Sequence, residues 1–116
     1  MYLIGENKMW VFTRFGFISI VQHNADPSTL LVRSRTIEPL DRLWPGSEVI
    51  VMDRADYRYR IFVPRKRVSE VMMGLLDGLD YPNFKSACTD DDDYQTALAS
   101  VWRTMYGYQE RAGDCR

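Results

Sequence analysis

Several things are scarce in this chain, and each scarcity closes off a class of function. There is one histidine and there are two cysteines, Cys88 and Cys115, far apart and without zinc-ligand spacing, which fits a reducing cytosol and no disulfide framework. No stretch approaches the eighteen or so uncharged apolar residues that a membrane-spanning helix requires. The opening MYLIGENKMW has no basic segment followed by an apolar one, so the reading is a cytoplasmic protein without a secretion signal. Glycine-rich phosphate loops, HExxH and G-x-S-x-G are all missing. Lysine is rare too, with 3 against 12 arginines.

What is present is an ordinary globular composition, 46% hydrophobic and 27% charged over 116 residues. That is the size of one domain, large enough to bury a self-sufficient core. The net charge of −1 is unevenly placed. Residues 1–76 hold 11 Lys/Arg against 8 Asp/Glu, and residues 77–116 hold 4 against 8. A pI near 5.8 argues against nucleic-acid binding driven by bulk charge.

Along the chain, residues 9–22 are aromatic and β-branched and read as a strand or strand pair, with Gly16 at a bulge or turn. A turn follows at 23–28, then a second strand at 30–35 and a short helix at 36–44 that stops at Pro45-Gly46. Strands are expected at 48–52 and 57–63. Val68, Val71, Met72, Leu75, Leu76 and Leu79 recur at helical period, and Gly78 and the turn at 80–83 end that helix. A last helix runs from about Asp92 to Tyr108, with Asp90–Asp93 at its start; acids there satisfy orphan amides and suit the helix dipole better than they suit a calcium loop. Trp10, Trp44 and Trp102 are expected in the core, and Tyr81, Phe84, Tyr106 and Tyr108 in a partly exposed patch.

The order β-β-α-β-β-α-α fits an α+β protein: a permuted ferredoxin-like sandwich, its edge strand supplied by the N-terminus, with one additional C-terminal helix. The expected layout is a single domain over 9–109, a variable extension at 1–8 and a tail at 110–116. In that topology the strands at 30–35 and 57–63 are central neighbours. Alternation then puts Leu30 and Val32 on the helix-covered face with Tyr57, Tyr59, Ile61 and Val63. Arg33, Arg35, Arg58 and Arg60 share the other face with Leu31 and Phe62. Four arginines on one sheet face either meet an anionic partner or are relieved internally by Asp53, Asp56 or the C-terminal helix.

That face is the candidate binding site. The leading reading is a non-catalytic interaction module for a protein or anionic surface. The alternative is single-stranded nucleic-acid binding on the same strands, as in RNA-recognition domains. Arg14-Phe15-Gly16-Phe17-Ile18 echoes the basic-Gly-aromatic motif of those domains, but on the wrong strand. A Cys88–His23 dyad is the one catalytic alternative, and no metal or cofactor is expected. Pairing with a second copy, through an uncovered sheet face or an N-terminal edge strand, would make a homodimer.

Five segments, residues 9–17 (MWVFTRFGF), 31–35 (LVRSR), 56–60 (DYRYR), 80–85 (DYPNFK) and 101–106 (VWRTMY), resemble those of a widespread, functionally uncharacterised family of small bacterial and phage proteins. The likeness spans residues 9 to about 109. It implies a bacterial or phage context, and for a phage protein a regulator or inhibitor acting in the host cytoplasm. It also picks out Arg33, Arg35, Tyr57, Arg58, Arg60, Tyr81, Asn83 and Lys85 as the polar residues of the motifs.

Overall fold

The structure, a computed structural model, describes residues 8–80 and 91–114. Backbone packing groups the chain into two units that part after Asp80, and they are taken in turn.

The first unit is built on five antiparallel strands: β1 (Lys8–Thr13), β2 (Gly16–Gln22), β3 (Thr29–Ser34), β4 (Ile50–Val51) and β5 (Tyr59–Pro64). They lie in the order β1-β2-β3-β5-β4, with helix α1 (Glu38–Leu43) between β3 and β4 and helix α2 (Arg65–Asp77) directly after β5. The β2-β3-β5-β4 order is that of the expected permuted α+β sheet, and β1 adds a fifth strand at its edge. The aromatic stretch at 9–22 is therefore a strand pair.

One face of the sheet carries the core. Ile18, Ile20, Val32, Ile61 and Val63 meet Leu40 and Trp44 from α1 and its end, and Val68 from α2. Full burial of such side chains contributes roughly 1.5–3 kcal/mol each. Of the helical stripe, Val68 is buried and Val71 and Met72 pack against the core, but Leu76 and Leu79 are exposed. Trp44 is 2% exposed, as a core anchor should be, whereas Trp10 and Trp102 are each 60% exposed. The reason for Trp10 is its place on an edge strand; its backbone partner is Ser19, away from the core face.

The β1–β2 reversal depends on Gly16. No described non-glycine residue has positive φ, so Arg14 and Phe15 turn with ordinary backbone and Gly16, at φ 144°, takes the strain. Thr13 Oγ1 closes the turn, donating to the Gly16 carbonyl at 2.8 Å and accepting from the Phe15 amide at 3.1 Å. A Cβ on Gly16 would also meet Pro39 Cγ at 2.9 Å, which packs α1 tightly onto the hairpin. The β2–β3 turn is organised by Asp26, whose carboxylate accepts from the Ser28 hydroxyl (2.7 Å), the Ser28 amide (3.0 Å) and the Thr29 hydroxyl (2.9 Å). These bonds, the Ser28 hydroxyl first, hold the Asp26 carboxyl below its usual 3.8.

The second unit contains α3 (Asp92–Asp114). Asp91 Oδ1 accepts from the Tyr94 amide at 2.9 Å, and Asp92 and Asp93 occupy the first turn, which is the capping role expected of this acidic run. The helix continues to Asp114, so the segment taken as a tail from 110 begins in helix. Trp102 and Tyr106, one turn apart, stack with ring centroids 5.4 Å apart, and both, with Tyr108, are exposed. No described helix is long and apolar enough to cross a membrane.

Two outcomes follow from the turns. Gly16→Ala should cost about 3 kcal/mol in denaturant unfolding, since φ and the Pro39 contact both oppose a methyl group, while Gly46→Ala, with positive φ but open space around it, should cost about 1 kcal/mol. Because the folded Asp26 carboxyl titrates below the unfolded one, its contribution is present above the unfolded value and lost as pH falls through the folded one. The stability gap between wild type and Asp26→Asn should therefore close on acidification below about pH 4. A gap that is flat with pH would contradict the assignment.

Candidate functional site

The register of the two central strands sets the site. β3 and β5 pair with Val32 opposite Ile61 and, one residue on, Arg33 opposite Arg60. Val32 and Ile61 go into the core, so Arg33 and Arg60 are forced together on the other face. The row continues across the sheet, since Arg33 is opposite Ser19 on β2 and Ser19 opposite Trp10 on β1. The parity expected for Arg33 and Arg60 is the parity observed.

Each guanidinium is held by one internal bond. Arg33 Nη2 donates to Ser19 Oγ at 3.0 Å, and Arg60 Nη2 to the Tyr57 carbonyl at 3.1 Å. Arg35, just beyond the strand and exposed, donates from Nη1 to the Asp56 carbonyl at 2.9 Å. The Cζ atoms of Arg33 and Arg35 each lie 4.5 Å from the centroid of the Tyr57 ring. Such contacts stabilise a cation over a ring by about 0.5–2 kcal/mol.

Tyr57 corrects an expectation. It was placed among the core residues of the helix-covered face; it is buried, but against Arg33, Arg35 and Phe17 on the arginine side. The cause is that β5 begins at Tyr59, so the bend before it frees Tyr57 from strand alternation. The Asp56 carboxylate fixes that bend by accepting from the Tyr57 amide at 3.0 Å. Arg58 lies in the same connection and pairs with Asp53 at 3.6 Å, an exposed contact of little energetic weight. It thus meets one of the two acids offered as internal relief. Tyr81, Asn83, Lys85 and Cys88 lie outside the described residues.

The described residues offer the other three no such pairing. Among the described residues, no carboxylate forms an ion pair with Arg33, Arg35 or Arg60. Among the same residues, the buried side-chain nitrogens without a hydrogen-bond partner are Arg33 Nε, Arg60 Nε and Trp44 Nε1. Two of these three belong to the paired arginines. Like charges placed directly opposite on a sheet destabilise it, and an unsatisfied buried donor adds to that cost. Beyond the buried Nε, each guanidinium carries four Nη N–H donors, of which the described residues take one, which leaves donors for an anion.

An aromatic flank borders the arginines, and the sequence reading missed it. Phe12 and Phe17 stack at 4.7 Å, Trp10 meets Phe17 edge-on at 6.0 Å, and Phe17 lies 6.3 Å from Tyr57. Lys8 Nζ is 5.8 Å from the Trp10 ring. Placing the turn at Arg14–Phe15 would have revealed it, because period-two alternation then carries Trp10, Phe12, Phe17 and Ser19 onto the face of Arg33. On the other side of the row, Phe62 is 47% exposed and its ring lies 4.8 Å from that of His23. Among the described residues, no group of three or more His, Cys, Asp or Glu side chains is placed to hold a metal ion.

Set against protein-family models, curated proteins and solved structures, the chain matches none of them.

A double-mutant cycle measures the proposed repulsion. Because either single substitution already removes the repulsion, Arg33→Gln or Arg60→Gln should cost more when made second than when made in the wild type, by about 0.5 kcal/mol at low salt, the difference shrinking as salt is added. Strict additivity at all salt concentrations would mean the two charges do not oppose one another.

Proposed function

We propose that the protein is a small non-catalytic interaction module that grips an acidic protein surface through Arg33, Arg35 and Arg60, with Tyr57 as the platform beneath them. The carrying observation is the opposed Arg33–Arg60 pair, short of internal carboxylates among the described residues and with both Nε atoms unpartnered. A carboxylate from a partner would supply, at the guanidinium Nη atoms, the countercharge that the described residues do not, and arginine beside buried tyrosine is the make-up of interface hot spots. The motif likeness supports a bacterial or phage setting, with action in the cytoplasm as a regulator or inhibitor of a partner protein. Arg58 stands at the margin of the surface, its charge already shared with Asp53; Tyr81, Asn83 and Lys85 belong to the proposal on the motif likeness alone.

A second reading has its own observation. Trp10 and Phe62 are exposed on the arginine side of the sheet, and aromatic rings beside cations suit stacked bases of a single strand.

Fluorescence anisotropy with a labelled Asp/Glu-rich peptide and a labelled single-stranded oligonucleotide separates the two. The proposal expects peptide affinity to fall at least about tenfold in Arg33→Gln/Arg60→Gln, with little change in Trp10→Ala. The second reading expects preference for the oligonucleotide, a steep fall with salt and a loss of about 1–3 kcal/mol on Trp10→Ala. Peptide binding unchanged in the double arginine variant would overturn the site.

A further inference from the structure

We infer that β1 is a pairing edge and that its occupant is the β1 strand of a second copy of this chain, joining two sheets into one. The inference is independent of what the arginine face binds.

The two edges of the sheet are unlike. β4 is two residues long and is flanked in sequence by Glu48 and Asp53, so it offers little backbone to another strand. Short edges and nearby charges are how sheets avoid unwanted pairing. β1 has six residues, no proline, no acid and a single charge, Lys8, at its first position. In an antiparallel pair, alternate residues turn their N–H and C=O groups away from the partner, so β1 presents an outer row of such groups.

The side chains sharpen the argument. Met9 is opposite Ile20 and so belongs to the core side of the sheet, whereas Trp10 is opposite Ser19 and belongs to the arginine side. Met9 is 58% exposed and Trp10 60%. A partner lying on either face would cover one and leave the other wet. A strand added along the edge approaches both at once.

Self-pairing suits the charge pattern. Two β1 strands running antiparallel place their Lys8 residues at opposite ends of the new ladder, with uncharged Met9–Thr13 between them. A two-fold axis perpendicular to the sheet keeps both arginine rows on the same side. Because only one edge of each chain is built for pairing, the assembly closes as a dimer and does not grow into a fibre.

Sedimentation velocity over a concentration series tests this, together with hydrogen exchange at the same concentrations. The expected mass rises toward twice the 13.6 kDa of one chain, and the outward amides of β1 gain protection over that same range. Met9→Lys, chosen because Met9 lies at the uncovered margin of the sheet, should weaken association at least about tenfold. Met9→Lys/Trp10→Lys should give the single-chain mass; because Trp10 also packs edge-on against Phe17, its circular dichroism is compared with that of wild type, and Met9→Lys alone decides if the double variant unfolds. A single-chain mass at every concentration overturns the inference. So does a dimer whose β1 amides stay unprotected, or one that Met9→Lys does not weaken.

Discussion

Val32 and Ile61 face each other across the central strand pair, both fully buried, and the next residues along, Arg33 and Arg60, face each other on the opposite side. This one register does two jobs. It seats the middle of the core, where Ile18, Ile20 and Val63 join Val32 and Ile61 beneath α1 and α2. It also leaves the two arginines no choice of neighbour. Since strand side chains alternate, a slip of one residue would bury both charges and expose both aliphatics, at a cost far beyond anything the arginines lose by lying together. Core burial therefore enforces an arrangement that is electrostatically unfavourable.

A fold selected for stability alone would place a carboxylate or a neutral residue opposite one of those arginines. The neighbouring surface does so: Arg58 has Asp53 and Arg42 has Glu38 at 3.3 Å. Tyr57 mitigates the conflict by offering its ring to Arg33 and Arg35 and its carbonyl to Arg60, and Ser19 takes one bond from Arg33. These contacts fix the guanidinium groups in place, and among the described residues no carboxylate neutralises them. Charges held in position but unneutralised are what an anion-gripping surface needs, because the ordering cost is met on folding and is not charged to binding.

The sequence carried much of this architecture in its periodicities. Apolar alternation in Leu30–Arg35 and Tyr59–Val63 gave the parity of the central pair, and the 3.6-residue recurrence from Val68 gave α2. The parity of Arg33 and Arg60 was legible for the same reason. What alternation does not encode is where it starts and stops. Arg14-Phe15 lacks the Asn-Gly or Asp-Gly chemistry that marks a tight hairpin, so the split into β1 and β2, and with it the aromatic flank of Trp10, Phe12 and Phe17, could not be placed. Tyr57 lies two residues before its strand, inside a bend held by Asp56, and its ring follows the bend. Glu48–Met52 has strand composition, yet the strand is only Ile50–Val51, with the Met52 amide still donating to the Arg58 carbonyl at 2.7 Å before the chain turns. Trp10 reads as a core residue by type, and only sheet order reveals that its strand is an edge.

The central claim is that Arg33 and Arg60 form a charge site that a partner's anionic group completes. The direct measurement is the melting temperature in rising sulfate, with ionic strength held constant by chloride. A ligand that binds only the folded state raises stability with its concentration through simple mass action. The account predicts a melting temperature that climbs with sulfate in the wild type and stays level in Arg33→Gln/Arg60→Gln. An equal climb in both proteins would trace the effect to general salt exclusion and contradict the claim.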